Sequence, residues 1–430
     1  MSVNFIHVTR WVNSHKEFVD VGMLCESDDL EKAFPTVSFN YTDGYLDKYA
    51  PLYPKQLLRT DSSALINHAD YNATLPKAFT PYLPNQTIKE VLSIMLDGFE
   101  DMTPFQQLKA VSDIKGDFGS VQLNYNNETQ FNSLPQTVAE VSRLLDVMRS
   151  KSYADLKISD VNAIYEYDTH NPAIRMVRWA DNEKYHIATV TQVNSLSKAK
   201  ELAVLQGVMQ ASGINVFDVN IEKHDDKYFV IQNDPHVSIS KNSIETVVED
   251  SMHIQPLLRT TKYISDESKL CAAEVSNLCK SIAGTSAAKE MYARSVVAQV
   301  LNQRDFNINQ VKFNEVSGVL KLSPQQVNPI VENNNSPFQL PLVSGQSNQI
   351  RYSFSENGSP SLARAFGITS RQQEKILDKI NDAFSSVVEI ANEKGISSEY
   401  AFPIRKIHES SGLFKVTVPQ SQGDMPDLEQ

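Results

Sequence analysis

Glycine is scarce in this chain: 15 in 430 residues, about half the usual frequency. None lies between Ser120 and Gln206, so over that span every residue carries a Cβ and backbone amides cannot easily crowd a phosphate. Cysteine is scarcer still. Cys25, Cys271 and Cys279 form no C-x-x-C pair, which removes the usual zinc spacings and fits a reducing compartment; they are expected as buried or partly buried thiols. No apolar run is long enough to span a bilayer, and the opening MSVNFIHVTRWVNSHKE lacks the charged-then-apolar design of a signal peptide. The expectation is a cytoplasmic protein with no membrane contact. Basic residues are outnumbered, 40 against 52 acidic, for a net charge of −12. That balance opposes unassisted binding to a phosphate backbone, so any DNA contact would come from a basic partner.

What is present is ordinary for a globular chain, with 41% hydrophobic and 21% charged residues. The length favours two or three domains or lobes. HVTRWVNSHKEFVDVGMLCE reads as two strands, Val8 to Val12 and Phe18 to Leu24, around a polar turn. TPYLPNQTIKEVLSIMLDG reads as a loop feeding a helix with apolar Ile88, Val91, Leu92 and Met95 and a stop at Gly98. A further helix is predicted in TVAEVSRLLDVMRSK after the linker NNETQFNSLPQ. From about residue 160 to 235 the pattern turns to strands, AIRMVRW, YHIATVTQV and the hairpin FDVNIEKHDDKYFVIQ, interrupted by the helix KELAVLQGVMQASG. Beyond 240 helices dominate. The clearest is predicted over 369–393, opened by a Thr369–Gln372 capping box and faced by Ile376, Ile380, Phe384, Val387 and Ala391. Strands followed by helices predict an α+β, two-lobed chain.

One stretch raises a question of chemistry. In LNQRDFNINQVKF, residues 301–313, Arg304-Asp305 precedes Gln310 by the spacing at which protein kinases place H-R-D before a metal-binding Asn. A single R-D pair is also what an exposed polar loop can carry by chance.

Several separate stretches together resemble the HipA-like serine/threonine kinases of bacterial toxin–antitoxin modules. RWVNSHKEFVDVGML is similar to that family's opening hairpin, LPNQTIKEVL and DIKGDFGSVQL to its P-x-L-P helix and following turn, and KELAVLQGVMQASGINVFDVNI to its helix and strand, with Glu201 at the acidic position. LNQRDFNINQVKF with GVLKLSP resembles the catalytic loop and its sequel, and SLARAFGITSRQQEKILDKINDAF the closing helices. The resemblance implies a protein-kinase-related fold, strand-rich first and mostly helical afterwards. It divides the chain into an N-terminal subdomain over 1–125, a linker and helix over 126–159, a kinase-like N-lobe sheet over 160–236 and a helical C-lobe over 237–430.

Carried over residue by residue, the resemblance also implies a degraded site. Thr189 stands where the family has an ATP-binding lysine, and Thr169 to Ala173 falls on its nucleotide loop. Asp305 keeps the position of the base, but Gln310 replaces the metal-binding Asn, and Val327 replaces the later metal aspartate. The hinge-side R-F-D-R becomes Asn233-Asp234-Pro235-His236. Valine cannot ligate magnesium, and a hydroxyl carries no charge to offset a triphosphate. Asp305 is therefore read as a vestigial base, and Thr189 and Gln310 as former cofactor positions, with no metal site and no cofactor expected. The plain alternatives are a loop cap for Asp305, a surface amide for Gln310, a β-branched strand residue for Thr189 and a core residue for Val327.

The reading that follows is a pseudokinase with a binding or regulatory role and a small helix-turn-helix, HipB-like DNA-binding partner, the isolated chain binding no nucleic acid itself. Two alternatives stand beside it. One is an active, Mg-ATP-dependent Ser/Thr kinase toxin acting on a translation-related protein, with Asn309 or Gln310 and a carboxylate such as Glu315 or Glu332 rebuilding the metal site. The other is a structural subunit of a mobile-element or defence complex.

Overall fold

A computed structural model describes residues 4–12, 17–27, 36–49, 51–52, 75–114, 117–118, 121–124, 134–165, 176–181, 186–240, 243–245, 251–253, 272–301, 312–316, 319–328, 330 and 358–411. Among these the chain is α+β, as expected from its strand and helix patterns.

The first sheet has the order β3-β2-β1-β5-β4, formed by β1 (Asn4–Val12), β2 (Glu17–Ser27), β3 (Thr36–Tyr41), β4 (Asp117–Phe118) and β5 (Val121–Leu123). β1 and β2 run longer than the predicted strands. Their register shifts between Val8↔Gly22 and Thr9↔Asp20, a bulge that raises local twist. Gly22 is required there, because a Cβ would stand 2.1 Å from the Asn40 carbonyl oxygen of β3. Between β3 and β4 lie α1 (Tyr45–Lys48), α2 (Gln86–Met95) and α3 (Pro104–Ile114). Asn85 caps α2 through the Ile88 N–H at 2.9 Å, and Gly98 follows in the left-handed conformation at φ 72, where the stop was predicted. α4 (Val138–Ser150) opens with a Thr137–Glu140 capping box, and α5 spans Asp160–Ile164.

The second sheet has the order β10-β9-β7-β6 with β8 also paired to β9, from β6 (Met176–Asp181), β7 (His186–Val193), β8 (Asp218–His224), β9 (Lys227–Ser240) and β10 (Ser243–Glu245). α6 (Leu196–Ala211) connects β7 to β8. This sheet faces two hydrophobic cores. Val177, Trp179, Ala188, Val190, Phe229 and Ile231 join the core of the first sheet and α2–α5, whereas Val193 and Val230 join that of α6 and the later helices. Period-two alternation along β7 and β9 is what lets one sheet serve both.

The later part carries β11 (Ser251–His253), α7 (Ala272–Val300, broken at Gly284, φ 78), β12 (Lys312–Val316), β13 (Val319–Leu322), α8 (Gly358–Ala365), α9 (Ser370–Ser385), α10 (Val387–Glu393) and α11 (Phe402–Ser411). β11-β12-β13 form a small antiparallel sheet inside a region read as helical. The single helix expected over 369–393 is two helices. Its Thr369–Gln372 capping box is present, but Ser386 (φ −91, ψ 18) ends α9, its N–H bonding the Asp382 and Phe384 carbonyls. Serine competes with the helix for its own backbone, and the Ser385-Ser386 pair is where the helix gives way. The apolar face continues across the break, since Ile380, Phe384, Val387 and Ala391 are all fully buried. Cys279 is buried and Cys25 half-buried, and Cys271 lies outside the described residues. Burial pushes the Cys279 thiol up to about 12, which leaves it inert.

Candidate functional site

β7 and β9 lie antiparallel with Thr189 directly opposite Gln232. Both residues alternate away from the first core, so they share the sheet face that carries Val193 and Val230. Gln232 is only 3% exposed, and an amide so buried demands partners.

The partners come from the extended segment after β13. Gln232 accepts the Val327 N–H at 2.8 Å and donates its own amide to the Val327 carbonyl at 3.0 Å. The preceding residue, Gln326, donates its side-chain amide to Thr189 Oγ1 at 3.3 Å. Upstream, Gln325 forms a parallel bridge with Val216: its N–H bonds the Asn215 carbonyl at 2.8 Å, and its carbonyl accepts the Phe217 N–H at 3.1 Å. Arg294, on α7 and 3% exposed, closes the start of the segment by donating to the Ser323 carbonyl at 2.7 Å while pairing with Glu290. Residues 323–327 are thus fastened to the second sheet at one end and to α7 at the other.

The four residues that meet at the centre, Thr189, Gln232, Gln326 and Val327, are all uncharged. Val327 is 1% exposed and belongs to the second core, so its side chain offers nothing to a cation. Glu201, on α6, is buried and paired with Lys198 of its own helix at 3.1 Å. Among the described residues no group of three or more His, Cys, Asp or Glu is placed to hold a metal ion. No described helix is long and apolar enough to cross a membrane.

Of the residues singled out in the sequence, the fold brings together Thr189 and the Gln326-Val327 step. Asp305, Gln310 and Thr169 to Ala173 lie outside the described residues, as does Glu332. Asn233 pairs with Ala188 of β7 and Asp218 of β8 within the sheet. Gln232 went unremarked in the sequence reading. Its signal was a polar residue at the period-two position where the alternation from Val230 calls for an apolar one.

No protein-family model and no curated protein matches the chain. Among solved structures the chain is similar to HipA in the Shewanella oneidensis MR-1 toxin–antitoxin complex of HipA, HipB and operator DNA, with a TM-score of 0.64 and 12% identity over 91% of this chain and 95% of that one. The Helicobacter pylori proinflammatory kinase CtkA matches 55% of this chain and 90% of its own at a TM-score of 0.34 and 10% identity. The two sheets, the intervening helix α6 and the helical C-terminal part therefore make up a HipA-like α+β fold.

Proposed function

We propose that this chain is a catalytically degenerate HipA-like pseudokinase that binds or regulates, working with a small, basic helix-turn-helix protein that contacts DNA. The observation that carries the reading is the Gln326–Thr189 hydrogen bond at 3.3 Å. By resemblance, Thr189 occupies the position of the ATP-binding lysine, and Gln326 is the neighbour of Val327 at the metal aspartate. Neutral side chains spend their polar groups on each other where a kinase would set opposite charges on a triphosphate and its metal. The division at residues 125, 159 and 236 into subdomain, linker, N-lobe and C-lobe belongs to the same reading. The partner is supported by the HipB and operator DNA that accompany HipA in its complex and by the net charge of −12, which suits a basic protein better than a phosphate backbone.

A charged contact is worth about 1.5–3 kcal/mol, so losing two weakens nucleotide binding roughly a hundredfold or more. Millimolar Mg-ATP is expected to give no thermal stabilisation and no autophosphorylation, and Asp305→Asn to leave biological activity unchanged. A melting shift with Mg-ATP, together with phosphotransfer abolished by Asp305→Asn, would overturn the reading in favour of an active kinase.

A further inference from the structure

We infer that Gln232 and Gln326 are intramolecular ties that hold the second sheet against the 323–327 segment, in place of the bridge that Mg-nucleotide makes in a working kinase. The inference deepens the pseudokinase reading and rests on it for the comparison with a kinase; the tie itself rests on geometry alone.

Gln232 uses both halves of its amide on one residue, accepting from the Val327 N–H at 2.8 Å and donating to the Val327 carbonyl at 3.0 Å. This is the pairing that an added strand would make, delivered by a side chain. Both partners are buried, Gln232 at 3% and Val327 at 1% exposure, so opening the contact would leave two donors and two acceptors without water or a substitute. Gln326 adds a third bond, to the Thr189 hydroxyl beside Gln232 on the next strand. The contacts upstream of the tie do not depend on either glutamine: the Val216↔Gln325 bridge, and before it Arg294 on the Ser323 carbonyl. The segment is therefore held over its whole length by protein groups. The consequence is a conformational one: the 323–327 segment stays seated on the Thr189–Gln232 face of the sheet, so that a partner meets one arrangement of sheet and segment.

Hydrogen–deuterium exchange on the full chain without nucleotide tests this at the Val327 amide. Strong protection is expected, and Gln232→Met, which keeps the length but removes both bonds, is expected to speed exchange there by roughly tenfold to a hundredfold. The Ile6, Val8 and Leu24 amides of the first sheet are expected to keep their protection, which separates loss of the tie from general unfolding. If Gln232→Met fails to fold, Gln326→Leu, which removes only the bond to Thr189, is expected to give a smaller increase at the same amide. Unprotected exchange at Val327 in the native chain, or protection unchanged in both variants, would overturn the tie. The Mg-ATP melting experiment fails or succeeds separately, so a chain that binds nucleotide yet protects Val327 in its absence would sink the pseudokinase reading and leave the tie standing.

Discussion

Lys394, directly after α10, donates to the side-chain oxygen of Gln206 on α6 at 2.6 Å, and Gln206 in turn donates its amide to Asp218 of β8 at 3.1 Å. This polar chain joins the C-terminal helices to the helix and hairpin of the second sheet. Its middle member, Gln206, is 3% exposed, whereas Lys394 lies at the surface with its ammonium turned onto that amide.

Partial burial holds the Lys394 ammonium below the ordinary lysine range, with the Asp218 carboxylate opposing the shift. A lowered folded pKa means that the unfolded chain binds the proton more tightly, so stability rises with pH across the window from the folded pKa up to about 10.5. Urea midpoints measured against pH in that window should rise more steeply for the native chain than for Lys394→Met. Parallel slopes would count against the burial of this ammonium.

Gly207 sits where α6 meets α10. A Cβ there would stand 2.5 Å from Ile390 Cγ2 and 2.7 Å from Lys394 Cε. Gly207→Val is expected to destabilise the chain by about 1–3 kcal/mol through overpacking, more than the few tenths of a kcal/mol that helix propensity returns. Chemical denaturation measures it, and an unchanged midpoint would mean that α10 yields freely.

His408 on α11 stacks against Phe384 of α9, with ring centroids 5.3 Å apart and planes at 20°. Burial lowers its pKa, and Glu409 pulls the other way. Because the unfolded chain then takes up the proton more readily, stability is lost as pH falls below about 6.5. Thermal midpoints should drop between about pH 7 and 5, and His408→Phe, which keeps a stacked ring, should flatten the drop.

Ile380 is fully buried on α9. Ile380→Asp puts an unpaired carboxylate into the second core at a cost of several kcal/mol. Loss of soluble, folded protein is expected, and a variant with native circular dichroism and melting would contradict the packing.

With a net charge of −12, the purified chain is expected to give no shift of duplex DNA at physiological salt, and to join a DNA complex only with a basic helix-turn-helix protein. Tight, salt-sensitive binding by the chain alone would refute the division of labour proposed here.

Most of the architecture was legible because it is written locally. The apolar and β-branched run HIATVTQV marks β7 as a strand, and Thr369 three residues before Gln372 marks where α9 begins. The break at Ser386 was not legible, since the apolar face runs through it unchanged and only the backbone turns. The β11-β12-β13 sheet was missed for a related reason: strands of three to five residues are too short for a period to establish itself.

The candidate site divides in the same way. Residue chemistry alone makes Thr189 and Val327 uncharged, because a hydroxyl and an isopropyl group are neutral in any fold. That Gln232 grips Val327 from 95 residues away, and that Gln326 reaches Thr189 across 137, was decided only by tertiary structure. Local periodicity records which face of a strand is buried but not what is packed against it. The choice of partner for a buried amide depends on which distant backbone arrives there with its own N–H and carbonyl unpaired.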